Sequence, residues 1–249
     1  MRAKHGRELP RMVDLSAVAN ELERADPKNK LIAAVRNAGR AQSCIADVSL
    51  AQTTLEALAQ LSGKADWAPV IHRVAAEHAL LANAVFLYAR ATDTGGRAGE
   101  RGPTSIRNRL PADERVTHDW IVHIRNAALA HVRPNEPLSD ELWHREIVFA
   151  VELQNGAWLP AAMTRRVQVN ARLIVELRTL LQTAELLLKE TYYRRIDYVA
   201  SALERMTGAA DLFPKHLLDP IEVFGSATEA ARAIGSPRPG ERLAGVINV

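Results

Sequence analysis

The chain has 249 residues, 47% of them hydrophobic, with 32 basic against 29 acidic side chains and a pI of about 9.2. That is room for one large domain, or one domain with an appendage, and enough apolar content for a sizeable core. The single cysteine, Cys44, excludes an internal disulfide and a cysteine-based zinc cluster, and a net charge of +3 tolerates an anionic partner without demanding one.

The N-terminal stretch "MRAKHGRELPRMVDL" is basic, but no apolar segment of signal-peptide type follows it. Nor is there an uncharged apolar run long enough to cross a bilayer. The expectation is a cytoplasmic protein without a membrane partner, with residues 1–26 as an N-terminal extension. Residues 27 to 62 then carry Leu31, Ile32, Val35, Ile45, Val48, Leu55, Leu58 and Leu61 at helical spacing. Asp26-Pro27 reads as the start of that helix and Gly63 as its end. A second helix is predicted from about Asp66 to Thr92, ending in the loop "TDTGGRAGERGPTS".

Pro111-Ala112-Asp113-Glu114 opens a third helix, with acidic residues in its first turn where the helix dipole favours them. Pro134 stops it. Between Glu146 and Trp158 the period changes to two, and Asn155-Gly156 supplies a tight turn, so a small β-hairpin is predicted at about 146–160. A long helix follows, from about Met163 to Met206, with Leu173, Leu177, Leu180, Ala184 and Leu187 at heptad-like spacing, flanked by Ile174, Leu181 and Leu188. Residues 211–249 are rich in proline and glycine and read as a poorly structured tail, with at most one short helix near Ser226 to Ile234. The expected architecture is therefore an all-α bundle over 27–210 with one hairpin inserted.

The stretch "HIRNAALAHV", His123 to Val132, carries the chemistry. On a helical wheel His131 falls in line with Trp120, Ile124 and Ala127, a stripe where a histidine is ordinarily a core residue. Arg125 lies between Ala128 and Leu129, so a guanidinium there must find an anion or a carboxylate. Asp119 and Glu77 are the internal candidates for positioning it, and a phosphate gripped in a bidentate fork is the external one. Six residues turn an ideal helix by about 600°, which sets Arg125 and His131 about 120° apart. They meet one substrate only if the helix end is distorted or a second subunit completes the cleft.

Other constellations are thinner. Arg73 and His78 repeat a similar spacing but lie mid-helix without a polar residue after the arginine. Glu141 and His144 have the Glu-x-x-His spacing of carboxylate metal sites, in a predicted loop, but a bundle site needs two such motifs. The glycine-rich loop after Thr92 lacks the Gly-Lys-Ser/Thr ending of a P-loop. Its Arg97 and Arg101, with Arg107 and Arg109, either line an RNA path or belong to a solvated loop. No metal site and no cofactor is expected.

Arg125-Asn126…His131, an arginine followed by a polar residue and then a histidine near a helix end, resembles the motif of the HEPN superfamily. The hydrophobic helix ending "FLYARATD" and the irregular loop before the motif helix are similar too, and the resemblance covers about residues 66 to 135. It implies a small all-α domain, an endoribonuclease acting as a homodimer on RNA, and a toxin or antiphage setting with a cognate antitoxin protein. Arg125 would hold the scissile phosphate, Asn126 would orient the phosphate or the histidine, and His131 would be the general acid or base. A catalytically inactive scaffold that binds a protein or nucleic acid through the same groove is the alternative that the resemblance allows.

Overall fold

In the computed structural model, the described residues are 9–63, 69–93, 95, 101–131, 133–135, 137–138, 141–167 and 169–234. They are predominantly helical, in agreement with an all-α chain carrying a small hairpin. In chain order they form β1 (Met12–Val13), α1 (Leu15–Ala25), α2 (Lys30–Ser62), α3 (Val70–Thr92) and α4 (Ala112–Ile124). A π-helical turn (Arg125–Leu129) continues α4 and is followed by β2 (Pro137–Leu138), β3 (Glu141–Leu142), β4 (His144–Glu152) and β5 (Trp158–Arg166). Then come α5 (Ala171–Glu204), α6 (Ala209–Leu212), β6 (Leu217–Leu218), α7 (Pro220–Phe224) and α8 (Ala227–Ile234). The chain divides into two compact units, one made of residues 1–42 and 190–249, the other of residues 43–189.

In the first unit, the N-terminal segment and the tail share a core. Asp14 caps α1 by accepting from the backbone of Ser16 and Ala17 at 2.8 and 3.1 Å. Val18 and Ala19 of α1 are buried with Leu31, Ile32, Val35 and Ala38 of α2 and Val199 of α5, and Leu212 and Phe213 pack against them. β1 pairs antiparallel with β6. The Glu21 carboxylate accepts from Lys215 at 2.9 Å and faces His216 Nε2 at 2.7 Å, and these partners hold it below the usual carboxylate range. Residues 211–234 are thus structured, contrary to the expected loose tail, and residues 12–25 are more than an extension. The prolines and glycines there punctuate helices: Pro220 follows the Asp219 cap, and Gly225 closes α7 at a φ of 78°. The predicted start of α2 also moves. Asp26 ends α1, and the α2 cap is Asn29, whose side chain accepts from Leu31 N at 3.0 Å.

In the second unit, most of the stripe residues predicted on α2 and α5 are buried, while Leu61, Ile174 and Leu187 are half-buried. Cys44, Ile45, Val48, Ala51, Leu55 and Leu58 of α2 are buried, as are Leu173, Leu177, Leu180, Leu181, Ala184 and Leu188 of α5. Polar contacts fix the helices laterally: Gln52 donates to Glu185 at 3.0 Å, and Thr183 donates to Glu114 at 3.1 Å. By length and composition alone α3 would reach across a bilayer, which the sequence reading did not anticipate. Leu81, Val85, Leu87 and Tyr88 of its C-terminal half are buried within the protein, while Val70 and Ile71 at its start are exposed.

The hairpin is longer than its alternation suggested. β4 and β5 pair over their whole length, from His144 opposite Arg166 to Glu152 opposite Trp158. Its turn has three residues between Leu153 and Ala157, with Gly156 in the left-handed region at a φ of 79°. Since β5 runs to Arg166, α5 cannot begin at Met163. It begins after Asn170, whose side chain accepts from Leu173 N at 2.8 Å as the cap.

Candidate functional site

α4 buries His118, Ile121 and Ile124 and then changes pitch. The amide of Ala130 donates to the Arg125 carbonyl at 2.8 Å, an i→i+5 bond that places one extra residue in the last turn. Such π-turns are rare and recur at functional sites. Beyond it the chain bends at Ala130 and His131, so the wheel that aligned His131 with Trp120 and Ile124 does not extend that far. His131 is exposed rather than in the core, and no hydrogen bond to it is formed among the described residues. The helix end is therefore distorted, one of the two conditions under which Arg125 and His131 meet one substrate; the other, a second subunit completing the cleft, is the one the wheel geometry favours.

Arg125 and Asn126 are consecutive residues that open the π-turn, and their side chains are hydrogen-bonded. The Arg125 Nη1 donates to Asn126 Oδ1 at 2.7 Å, and the guanidinium carbon lies 5.7 Å from the centre of the Phe86 ring. That is a cation–π contact near the outer limit of useful range. The Nε of Arg125 is buried without a hydrogen-bond partner, and no carboxylate among the described residues pairs with this arginine. A guanidinium carries five donors, so this one keeps unused hydrogen-bonding capacity.

The supporting residues lie elsewhere. Asp119 is exposed and engaged by Arg107, which donates Nε and Nη2 to its two carboxylate oxygens at 2.6 Å each. That pairing holds the Asp119 carboxyl below its usual range and raises the arginine. Glu77 is half-buried on α3. Arg101 donates to Asp47 and, at 3.1 Å, to the Cys44 sulfur, while Arg109 donates to the Leu187 carbonyl at 3.1 Å. Arg97 lies outside the described residues. Each described arginine of the predicted RNA path thus has a different internal acceptor.

Beside the π-turn lie Trp143, which sequence reasoning passed over, and His144, which it weighed only as half of a Glu-x-x-His metal spacing. Trp143 and His144 are 3% and 7% exposed, and His144 Nε2 donates to the Ala128 carbonyl at 2.8 Å. That carbonyl is one of those a helix end leaves without an intrahelical partner. Asn135 ties the following loop to β4, its amide donating to the His144 carbonyl at 2.8 Å and its side-chain nitrogen to the Glu146 carbonyl at 3.1 Å. Earlier on α4, His118 Nδ1 shares a 2.7 Å hydrogen bond with Tyr88 Oη of α3. Burial pushes the tyrosine up and the histidine down, so both stay neutral near pH 7.

No family model, no curated protein and no solved structure matches this chain.

Proposed function

We propose that the chain is a HEPN-type endoribonuclease whose site is the π-turn at the end of α4. The observation that carries this reading is Arg125, half-buried without a carboxylate, its buried Nε unpartnered, beside Asn126. A guanidinium so placed is suited to an incoming phosphate, because one bidentate anion uses donors that the protein leaves idle. His131, exposed two residues after the turn, takes the proton from a ribose 2′-OH. The 2′ oxygen then attacks the adjacent phosphorus, the bond from phosphorus to the 5′ oxygen breaks, and that oxygen receives a proton. In a homodimer the His131 of each subunit serves once, as base or as acid. Arg125 neutralises the charge added in the phosphorane, an interaction stronger in the transition state than in the ground state.

With His131 moving the protons and Arg125 holding the phosphorane charge, turnover continues in EDTA; because the nucleophile is the substrate's 2′-OH, DNA is left intact and the 5′ fragment ends in a 2′,3′-cyclic phosphate. Mass spectrometry of the fragments checks all three. Cleavage that stops with EDTA, or equal cutting of DNA, overturns the mechanism. RNA binding without cleavage leaves the inactive scaffold.

A further inference from the structure

The β4–β5 ribbon is exposed almost from its base. Beyond the buried His144, only Ile147 and Ala161 are even half-buried. A two-stranded hairpin by itself is marginally stable in water, and further strands or a packed apolar face are what stabilise it. This ribbon has such a face, on which Ile147, Phe149 and Val151 stand opposite Met163, Ala161 and Leu159.

The two edges of the ribbon differ. In an antiparallel ladder, hydrogen-bonded pairs alternate with pairs whose N–H and C=O groups point outward. The Leu153 amide donates to the Ala157 carbonyl at 2.8 Å. With the continuous register, that makes Val151–Leu159, Phe149–Ala161 and Ile147–Met163 the bonded pairs. His144, Glu146, Val148, Ala150 and Glu152 then face outward on β4. Asn135 bears this out near the base. Its amide donates to the His144 carbonyl at 2.8 Å, its side-chain nitrogen donates to the Glu146 carbonyl at 3.1 Å, and its Oδ1 accepts from the Glu146 amide at 3.2 Å. Past Asn135 the edge is open: outside the hairpin, no described residue bonds to the backbone of Val148, Ala150 or Glu152. The β5 edge is blunted, because Pro160, opposite Ala150, has no N–H to offer. An open apolar edge is a template for another strand.

The three open positions select the occupant. A second copy, related by a two-fold axis through Ala150, pairs Val148 with the partner's Glu152 and Ala150 with the partner's Ala150. Only this register matches open positions with open positions. A shift toward the base meets the groups that Asn135 occupies, and a shift toward the tip sets Val148 against Gln154 in the turn. The side chains agree with it. Ala150, which faces its own copy, is small and uncharged. Glu152 is kept from its own copy, and Phe149 faces the partner's Val151, an aromatic–β-branched pair. We propose that the β4 edge is a homodimer contact, joining two ribbons into one four-stranded antiparallel sheet about Ala150.

The contact goes beyond the cleavage reading and fails separately from it. His144, bonded to the π-turn, is six residues from Ala150, which sets the two π-turns roughly 40 Å apart. This contact therefore does not supply a second His131.

The test is sedimentation equilibrium of the full chain. Three paired residues a side are far fewer than the roughly 20–30 of a stable interface, so the dimer is of the weak class and dissociates in the micromolar range. Ala150→Lys sets like charges opposite each other at the axis and raises the dissociation constant at least about tenfold. Val148→Lys meets the partner's Glu152, twice over by symmetry, and leaves the constant unchanged or lowers it. Both positions are exposed. Amide hydrogen exchange locates the contact: Val148, Ala150 and Glu152 gain protection with concentration, while Ala162 and Thr164 on the β5 edge do not. A chain that stays monomeric up to about 1 mM, a dimer indifferent to Ala150→Lys, equal weakening by the two lysines as from a merely apolar surface, or protection along β5 overturns the proposal. So does protection of β4 that appears only with a foreign polypeptide, which assigns the edge to another protein. If Ala150→Lys does not fold, Val148→Lys and the exchange pattern decide.

Discussion

Two places in the second unit are built from arginine, and they treat it in opposite ways. Asp47, 8% exposed on α2, receives both Arg90 and Arg101, and the Cys44 sulfur accepts a further bond from Arg101. Every oxygen of that carboxylate is used. At the π-turn, Arg125 meets an amide and a phenyl ring, and its Nε meets nothing. The first arrangement closes a fold; the second leaves a charge available. Carboxylate pairing, more than burial, separates structural arginines from candidates for binding.

Breaking each place separately sharpens the contrast. Asp47→Ala should have the largest effect, since it strands two guanidiniums. Removing one partner of a fully buried pair costs about 3–5 kcal/mol, and the exposure of Arg90 brings the expectation to about 2–4 kcal/mol in urea unfolding. A loss below about 1 kcal/mol would remove the distinction.

A second closed polar pair, Tyr88 with His118, predicts a pH effect. Burial holds the His118 pKa below its ordinary 6.5. The native state therefore binds fewer protons than the unfolded chain as pH falls. Stability is complete above about pH 6.5 and declines through the window below it, down to the depressed native value. His118→Gln should flatten that part of the stability–pH curve. An unchanged slope would show that the pair does not couple to folding.

Smaller still is Asp119→Asn. With both side chains of the Arg107–Asp119 pair 46% exposed, the expected cost is about 0.2–1 kcal/mol, reduced further by salt. The least effect on stability belongs to Arg125→Met, which keeps the aliphatic stem and removes the orphaned nitrogen. It should lie within about 1 kcal/mol of the parent, on the stabilising side if burial of Nε is a net cost. Destabilisation as large as that of Asp47→Ala would place Arg125 among the structural arginines.

The helices were legible because their stripes and stops are local. Gly63 ends α2 and the acidic first turn opens α4 as the sequence indicates, and Leu173, Leu177, Leu180 and Ala184 of α5 are buried where heptad spacing puts them, though Leu187 is only half-buried. Proline and glycine were read as disorder after residue 210 when their positions, next to Asp219 and after Phe224, make them caps. Arg125 and Asn126 stood out from the sequence, but the π-turn they open has no residue signature, and the bend that follows at Ala130 and His131 was not legible either. Asp47 could have been found: it lies between Cys44 and Ala51 on the buried stripe of α2, where a lone carboxylate demands a cation. Trp143 and the place of His144 beside the π-turn could not, because their burial depends on how the hairpin packs against the helix end, which no local pattern shows.

The most direct measurement is RNA turnover by the single variants Arg125→Ala and His131→Ala, with helical circular dichroism recorded on the same samples. If the π-turn is the working site, each variant keeps the helical signal and loses at least about 10²-fold in turnover, the effect of removing one acid–base group or one charge-stabilising donor. Full turnover in both variants, with the fold intact, would contradict it and return these residues to the structure of the helix end.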